Sequence, residues 1–164
     1  MSKPSSYQVR FDRLLSAYQW ISLFLILPPL ISAFSAVVGL FNADYPLTLC
    51  LSLVQGTYGL VGEFGRPYAL ILSLALLFAY VPLSMFSAKG KGWCFFLGAG
   101  LYAADLIYGA FLFGDLGSMR YVILLLVHVL FVAAYVAGTV FYLKARTLLK
   151  EHQREILGKL PKQR

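Results

Sequence analysis

LGAGLYAADLIYGAFLFGDLGSMRYVILLLVHVLFVAAYVAGTVFYL, residues 97–143, decides the architecture of this chain. Two apolar stretches flank a short polar connection, Gly114-Asp115-Leu116-Gly117-Ser118. Crossing a bilayer as an α-helix takes about 20 predominantly apolar residues, so the segment reads as a transmembrane helical hairpin. Asp105 and His128 are strongly polar, titratable side chains within these lipid-like surroundings. An antiparallel hairpin folded at the connection carries them to the same depth. An ionisable group in hydrocarbon is costly and calls for a partner or a watery cavity.

Helical phase gives the two residues a common environment. At about 100° per residue, Asp105 shares a face with Gly98, Leu101, Tyr102, Tyr108, Gly109 and Leu112. His128 shares one with Tyr121, Phe131, Tyr135, Gly138 and Tyr142. Tyrosines and small residues make these the least lipid-like sides of their helices. Gly98 and Gly138 also fall at similar depth, where small residues let helix backbones approach closely. The pattern predicts an Asp105–His128 hydrogen bond, direct or through one water. With Tyr102, Tyr108 and Tyr135 it forms a candidate intramembrane polar site.

The rest of the chain extends the same reading. Hydrophobic residues make up 60% and charged residues 13% of its 164 positions, and the mean hydropathy is +0.75. Soluble domains average about 25% charged residues, so this is the composition of an integral membrane protein. Two further apolar stretches, about 14–40 and 67–87, join those at 93–113 and 119–143 to give an all-α, four-helix membrane bundle. Pro28-Pro29 falls near the middle of the first span, where lost backbone bonds predict a kink.

Charge placement orients the bundle and identifies its surroundings. The net charge of +7 does not indicate nucleic acid, because the basic residues flank apolar spans and crowd the termini. Lys3, Arg10, Arg13, Lys89, Lys91, Lys144, Arg146, Lys150, Arg154, Lys159, Lys162 and Arg164 all fall on one side of a four-span arrangement. Arg66 and Arg120 fall on the other. The excess of basic residues in cytoplasmic flanks places both termini in the cytoplasm. The basic N-terminus and Ala33-Phe34-Ser35 resemble a secretory signal, but the apolar stretch exceeds a signal's usual length; it is expected to remain as the first span. Residues 1–143 then form the membrane domain and 144–164 a basic, cytoplasmic helical tail. In that tail Ala145, Leu149, His152, Ile156 and Leu160 follow helical spacing. Anionic lipid attracts such a segment.

Between the first two spans lies PLTLCLSLVQGTYGLVGEFGRP, residues 46–67, too apolar for an ordinary loop. Counting 46–62 as a fifth crossing would put Lys89 and Lys91 outside, against the charge rule. It is expected to be a re-entrant or interfacial segment packed on the bundle. Gln55 and Glu63 within it are candidates for lining an outer cavity. Cys50 and Cys94 fall on opposite sides of the membrane, too far apart for a disulfide within one chain.

No nucleophile, nucleotide-binding or metal motif stands out, and no cofactor is expected. One histidine and one aspartate are too few for a structural metal site. The Leu101-Tyr102-x-x-Asp105 pattern, followed by His128 and Gly138 in the next helix, resembles small bacterial four-helix inner-membrane proteins. These carry an aspartate in the penultimate helix and a histidine in the last. The resemblance covers the second half of the membrane domain and implies the helix count and the bacterial inner membrane; it implies no activity. The expected role is a non-catalytic scaffold or accessory subunit, paired with another membrane protein or a second copy. The alternative is a small transporter or channel, with a proton-linked or substrate site at Asp105 and His128.

Overall fold

The computed structural model describes residues 6–42, 51–58, 61, 65–112 and 119–159. Among these residues every regular element is helical. In chain order they are α1 (Ser6–Leu23), a 3₁₀ turn (Phe24–Ile26), α2 (Leu27–Phe41), α3 (Ser52–Tyr58), α4 (Gly65–Ala88), α5 (Gly92–Leu112) and α6 (Met119–Lys159). Four helices are long and apolar enough to cross a membrane: α1 running through the turn into α2, then α4, α5 and α6.

The distribution of side chains is that of a protein dissolved in lipid. Ser22, Ser32, Ser35, Ser73, Ser84 and Ser87 are buried, while Phe34, Phe78, Phe111 and Leu130 stand exposed. Helices in hydrocarbon gain nothing by hiding apolar groups from one another. They associate through small residues and interhelical hydrogen bonds, and both are present here. The Tyr18 hydroxyl bonds Ser87 Oγ (2.9 Å), which donates to Ser22 Oγ (2.7 Å), which donates to the Tyr18 carbonyl (2.9 Å). Ser84 donates to the carbonyl of Ser22 (2.9 Å). This chain of hydroxyls ties α1 to α4. Further along the same pair of spans, Ser32 of α2 and Ser73 of α4 bond each other (3.0 Å).

The double proline acts as a restart of the first span. Pro28 and Pro29 sit in the first turn of α2, where a missing N–H removes no intrahelical bond. The 3₁₀ turn before them carries the chain across, with Leu27 N–H bonded to the Phe24 carbonyl. The turn between α4 and α5 ends on Gly90, whose φ of 87° is left-handed and favours glycine. Its amide bonds the Ser87 carbonyl (2.8 Å) and the Lys91 amide bonds the Phe86 carbonyl (3.0 Å). That pattern is a Schellman cap, and it places Lys89 and Lys91 on the tight turn itself.

One expectation about packing is corrected. Gly98 is not a point of direct approach between α5 and α6, and Gly138 of α6 admits a side chain of α5 together with one from the first span. Gly98 faces the Leu25 side chain, and a Cβ at Gly138 would collide with Phe95 and Ile21. Helix α6 packs chiefly along α1, and its contact with α5 is smaller. The first span wedges into the hairpin: Leu25 sits against Gly98, and Ile21 shares the space at Gly138 with Phe95 of α5. Toward the C-terminus, α6 stays helical to Lys159. Its 41 residues span roughly 60 Å at 1.5 Å per residue, twice a hydrocarbon core of about 30 Å. On that extension His152 stacks on Tyr7 of α1, with ring centroids 4.1 Å apart.

Gly138→Leu should therefore destabilise the protein in detergent by about 1–3 kcal/mol through overpacking, whereas Gly100→Ala, with open space around a new Cβ, should be neutral or slightly stabilising. Thermal unfolding of both variants checks this; equal melting temperatures would contradict the wedge.

Candidate functional site

Asp105 lies on α5, one turn from both Tyr102 and Gly109. Its carboxylate accepts two backbone hydrogen bonds from the short helix α3: Ser52 N–H to Oδ2 (3.0 Å) and Leu53 N–H to Oδ1 (2.9 Å). Local sequence explains why α3 needs this help. The amides of Val54 and Gln55 bond the carbonyl of Leu51 (2.9 and 3.1 Å), which makes Leu51 the N-cap residue. A helix leaves its first amides without intrahelical partners, and a capping side chain must carry an oxygen to satisfy one. Leucine has none. Asp105 supplies the cap from another helix, and its negative charge suits the positive end of the helix dipole.

The neighbouring positions fit α3 onto α5. A Cβ at Gly109 would strike Ser52 Oγ, so the glycine is the seat on which α3 rests. The Leu51 amide donates to Ser32 Oγ (3.2 Å), the hydroxyl already bonded to Ser73. Three spans thus converge on the first residues of α3. Beyond them, Arg66 at the start of α4 donates to the carbonyls of Gly39 and Asn42, capping the end of α2.

Helical phase pointed from Asp105 to His128; the hydrogen bonds described at its carboxylate come from the amides of Ser52 and Leu53. His128 is buried, and its ring stacks on Tyr102 with centroids 5.6 Å apart and planes 24° apart. Tyr102 also meets Tyr135 edge-on at 5.3 Å. Tyr102, His128 and Tyr135 form one aromatic cluster between α5 and α6, and Asp105 leads out of it toward α3. Among the described residues the buried Tyr135 hydroxyl has no hydrogen-bond partner. Tyr108 is more exposed and borders a cleft of about 250 Å³ that Asp105 and Tyr80 also line. Gln55 lies on α3. Glu63 and Cys50 fall outside the described residues.

The sequence reading missed Ser32, Gly109 and Tyr80. A signal for Gly109 existed, since it shares the face of Asp105. Ser32 and Ser73 carried none, because serine is common in membrane helices and its partner depends on which helices meet. Among the described residues no group of three His, Cys, Asp or Glu side chains is placed to hold a metal ion. No family model, curated protein or solved structure matches this chain.

Asp105→Ala should leave the amides of Ser52 and Leu53 without their acceptor, at a cost of about 1–3 kcal/mol. In hydrogen exchange, these amides should become at least about tenfold faster while those of α4 hold. Unchanged protection at Ser52 and Leu53 would show that the carboxylate does not anchor α3.

Proposed function

We propose that this chain is a small multi-pass protein of the bacterial inner membrane with both termini in the cytoplasm. Its role is non-catalytic, as a scaffold or accessory subunit of a membrane assembly. The observation that carries this reading is the use made of Asp105: both oxygens of the intramembrane carboxylate hold backbone amides of α3. The acceptor positions engaged in this way serve architecture. Large apolar side chains cover the exposed faces of α4, α5 and α6, which suits contact with lipid and with neighbouring membrane helices. The long α6 carries its basic end beyond the spans, toward anionic lipid headgroups.

In this reading the outer segment is re-entrant. Ser32, Ser73 and Asp105, the residues that meet around its first turn, lie on the order of 10–14 Å from the span ends at Phe41, Gly65 and Leu112 at 1.5 Å per residue. Buried capping groups make such a position tolerable, since backbone at membrane depth must be covered by protein or line a cavity. The cleft beside Asp105 favours a second reading, a small transporter or channel with a substrate site at that level.

Two measurements test these proposals. A cysteine at Lys89 should resist impermeant thiol reagents in intact cells, and one at Val61 should react; external labelling at position 89 would overturn the orientation. Purified gently from native membranes, the chain should retain a stoichiometric membrane-protein partner or a second copy. Recovery as a lone monomer would remove the assembly role.

A further inference from the structure

We propose that the cleft between α3, α4 and α5 is a binding site for a small lipophilic organic cation, of the quaternary ammonium class. This goes beyond an assembly role and rests on neither reading above, since an accessory subunit and a transporter can each carry such a site.

Three features select that ligand. The first is charge. Asp105 lines the cleft, and a carboxylate has about four lone-pair positions, of which α3 occupies two. Backbone amides stabilise the carboxylate but bring no net positive charge, and among the described residues that line the cleft none is cationic. A charge in hydrocarbon is costly until another charge or water meets it, and a bound cation completes this balance. Anions are disfavoured for the same reason.

The second feature is the wall. Leu51, Leu53, Leu76, Leu101 and Ala104 line the cleft beside Asp105. An inorganic cation or a primary ammonium would lose its hydration shell against these leucines with few oxygens to replace it. A quaternary ammonium has no N–H to satisfy and presents methyl groups to the walls. Tyr80 and Tyr108 complete the lining. Tyr80 donates its hydroxyl to the Gly98 carbonyl (3.3 Å), so that proton is already engaged. Aromatic faces attract cations.

The third feature is size. The volume of about 250 Å³ lies below the range of about 300–1,000 Å³ usual for drug-sized ligands. One aromatic ring or short alkyl chain on the ammonium fills it.

The experiment uses the full chain in lipid nanodiscs and phenyltrimethylammonium as probe, with tert-butylbenzene as its uncharged isostere. Binding is read by calorimetry and by saturation-transfer NMR. The cation should bind at least about tenfold more tightly than the isostere. Ala104→Phe, at a position lining the cleft, should weaken it by about tenfold or more without touching the carboxylate. Ala103→Phe, exposed and outside the lining, should leave it unchanged. Asp105→Asn should weaken the cation and spare the isostere; should that variant unfold, the alanine pair decides. Equal binding of tert-butylbenzene would mean an apolar pocket for a lipid chain and would overturn the proposal. So would undetectable cation binding, an unaffected Ala104→Phe variant, or an equal loss in Ala103→Phe.

Discussion

A backbone amide buried away from water must find an acceptor in the protein, and leaving it unsatisfied costs free energy comparable to a lost hydrogen bond. Long helices meet this demand internally except at their ends. The seven-residue α3 cannot, because much of it is end. Its position among the spans therefore depends on acceptors offered by other helices: the carboxylate of Asp105 for Ser52 and Leu53, and the hydroxyl of Ser32 for Leu51. The three outer connections of the site follow from this need. Gly109 is small because Ser52 must come close, and Ser73 bonds Ser32 on the same level of the bundle.

The remainder of the bundle obeys a related constraint. Apolar burial contributes little to association between helices in lipid, so small residues and hydroxyls specify which surfaces meet. The Tyr18–Ser87–Ser22 chain sets α1 against α4, and the cavity at Gly138 receives Ile21 and Phe95. Polar side chains are thus inside for packing specificity, and phenylalanine and leucine are outside because the surrounding solvent is as apolar as they are. The same economy explains how one carboxylate can be a cap and still line a cleft: two of its acceptor positions are directed to α3, and the rest of the group faces space that leucine and tyrosine leave open.

Much of the architecture was legible from sequence because its determinants are local. The length and apolarity of 97–143, the short polar connection within it, and the low charge overall are sufficient for helical spans, and four such helices are present. The apolar character of 46–67 marked it as more than a loop, and α3 occupies part of it. Asp105 and His128 were recognisable as special from their chemistry alone. Helical phase also put Tyr102 on the Asp105 face, and that ring is the one His128 stacks on.

What the tertiary structure decided was partnership. Hairpin register can place two residues at one depth, but it cannot say that a third element enters between the helices. Here α1 packs along α6 and α3 lies against α5, so the neighbour of Asp105 comes from residues more than fifty positions earlier in the chain. Backbone amides carry no signature in the sequence, since every residue except proline has one. A carboxylate seeking donors therefore leaves no readable trace of which backbone will answer it. The identities of the spans were set by composition; the meaning of the polar residues inside them was set by which helix ends required an acceptor.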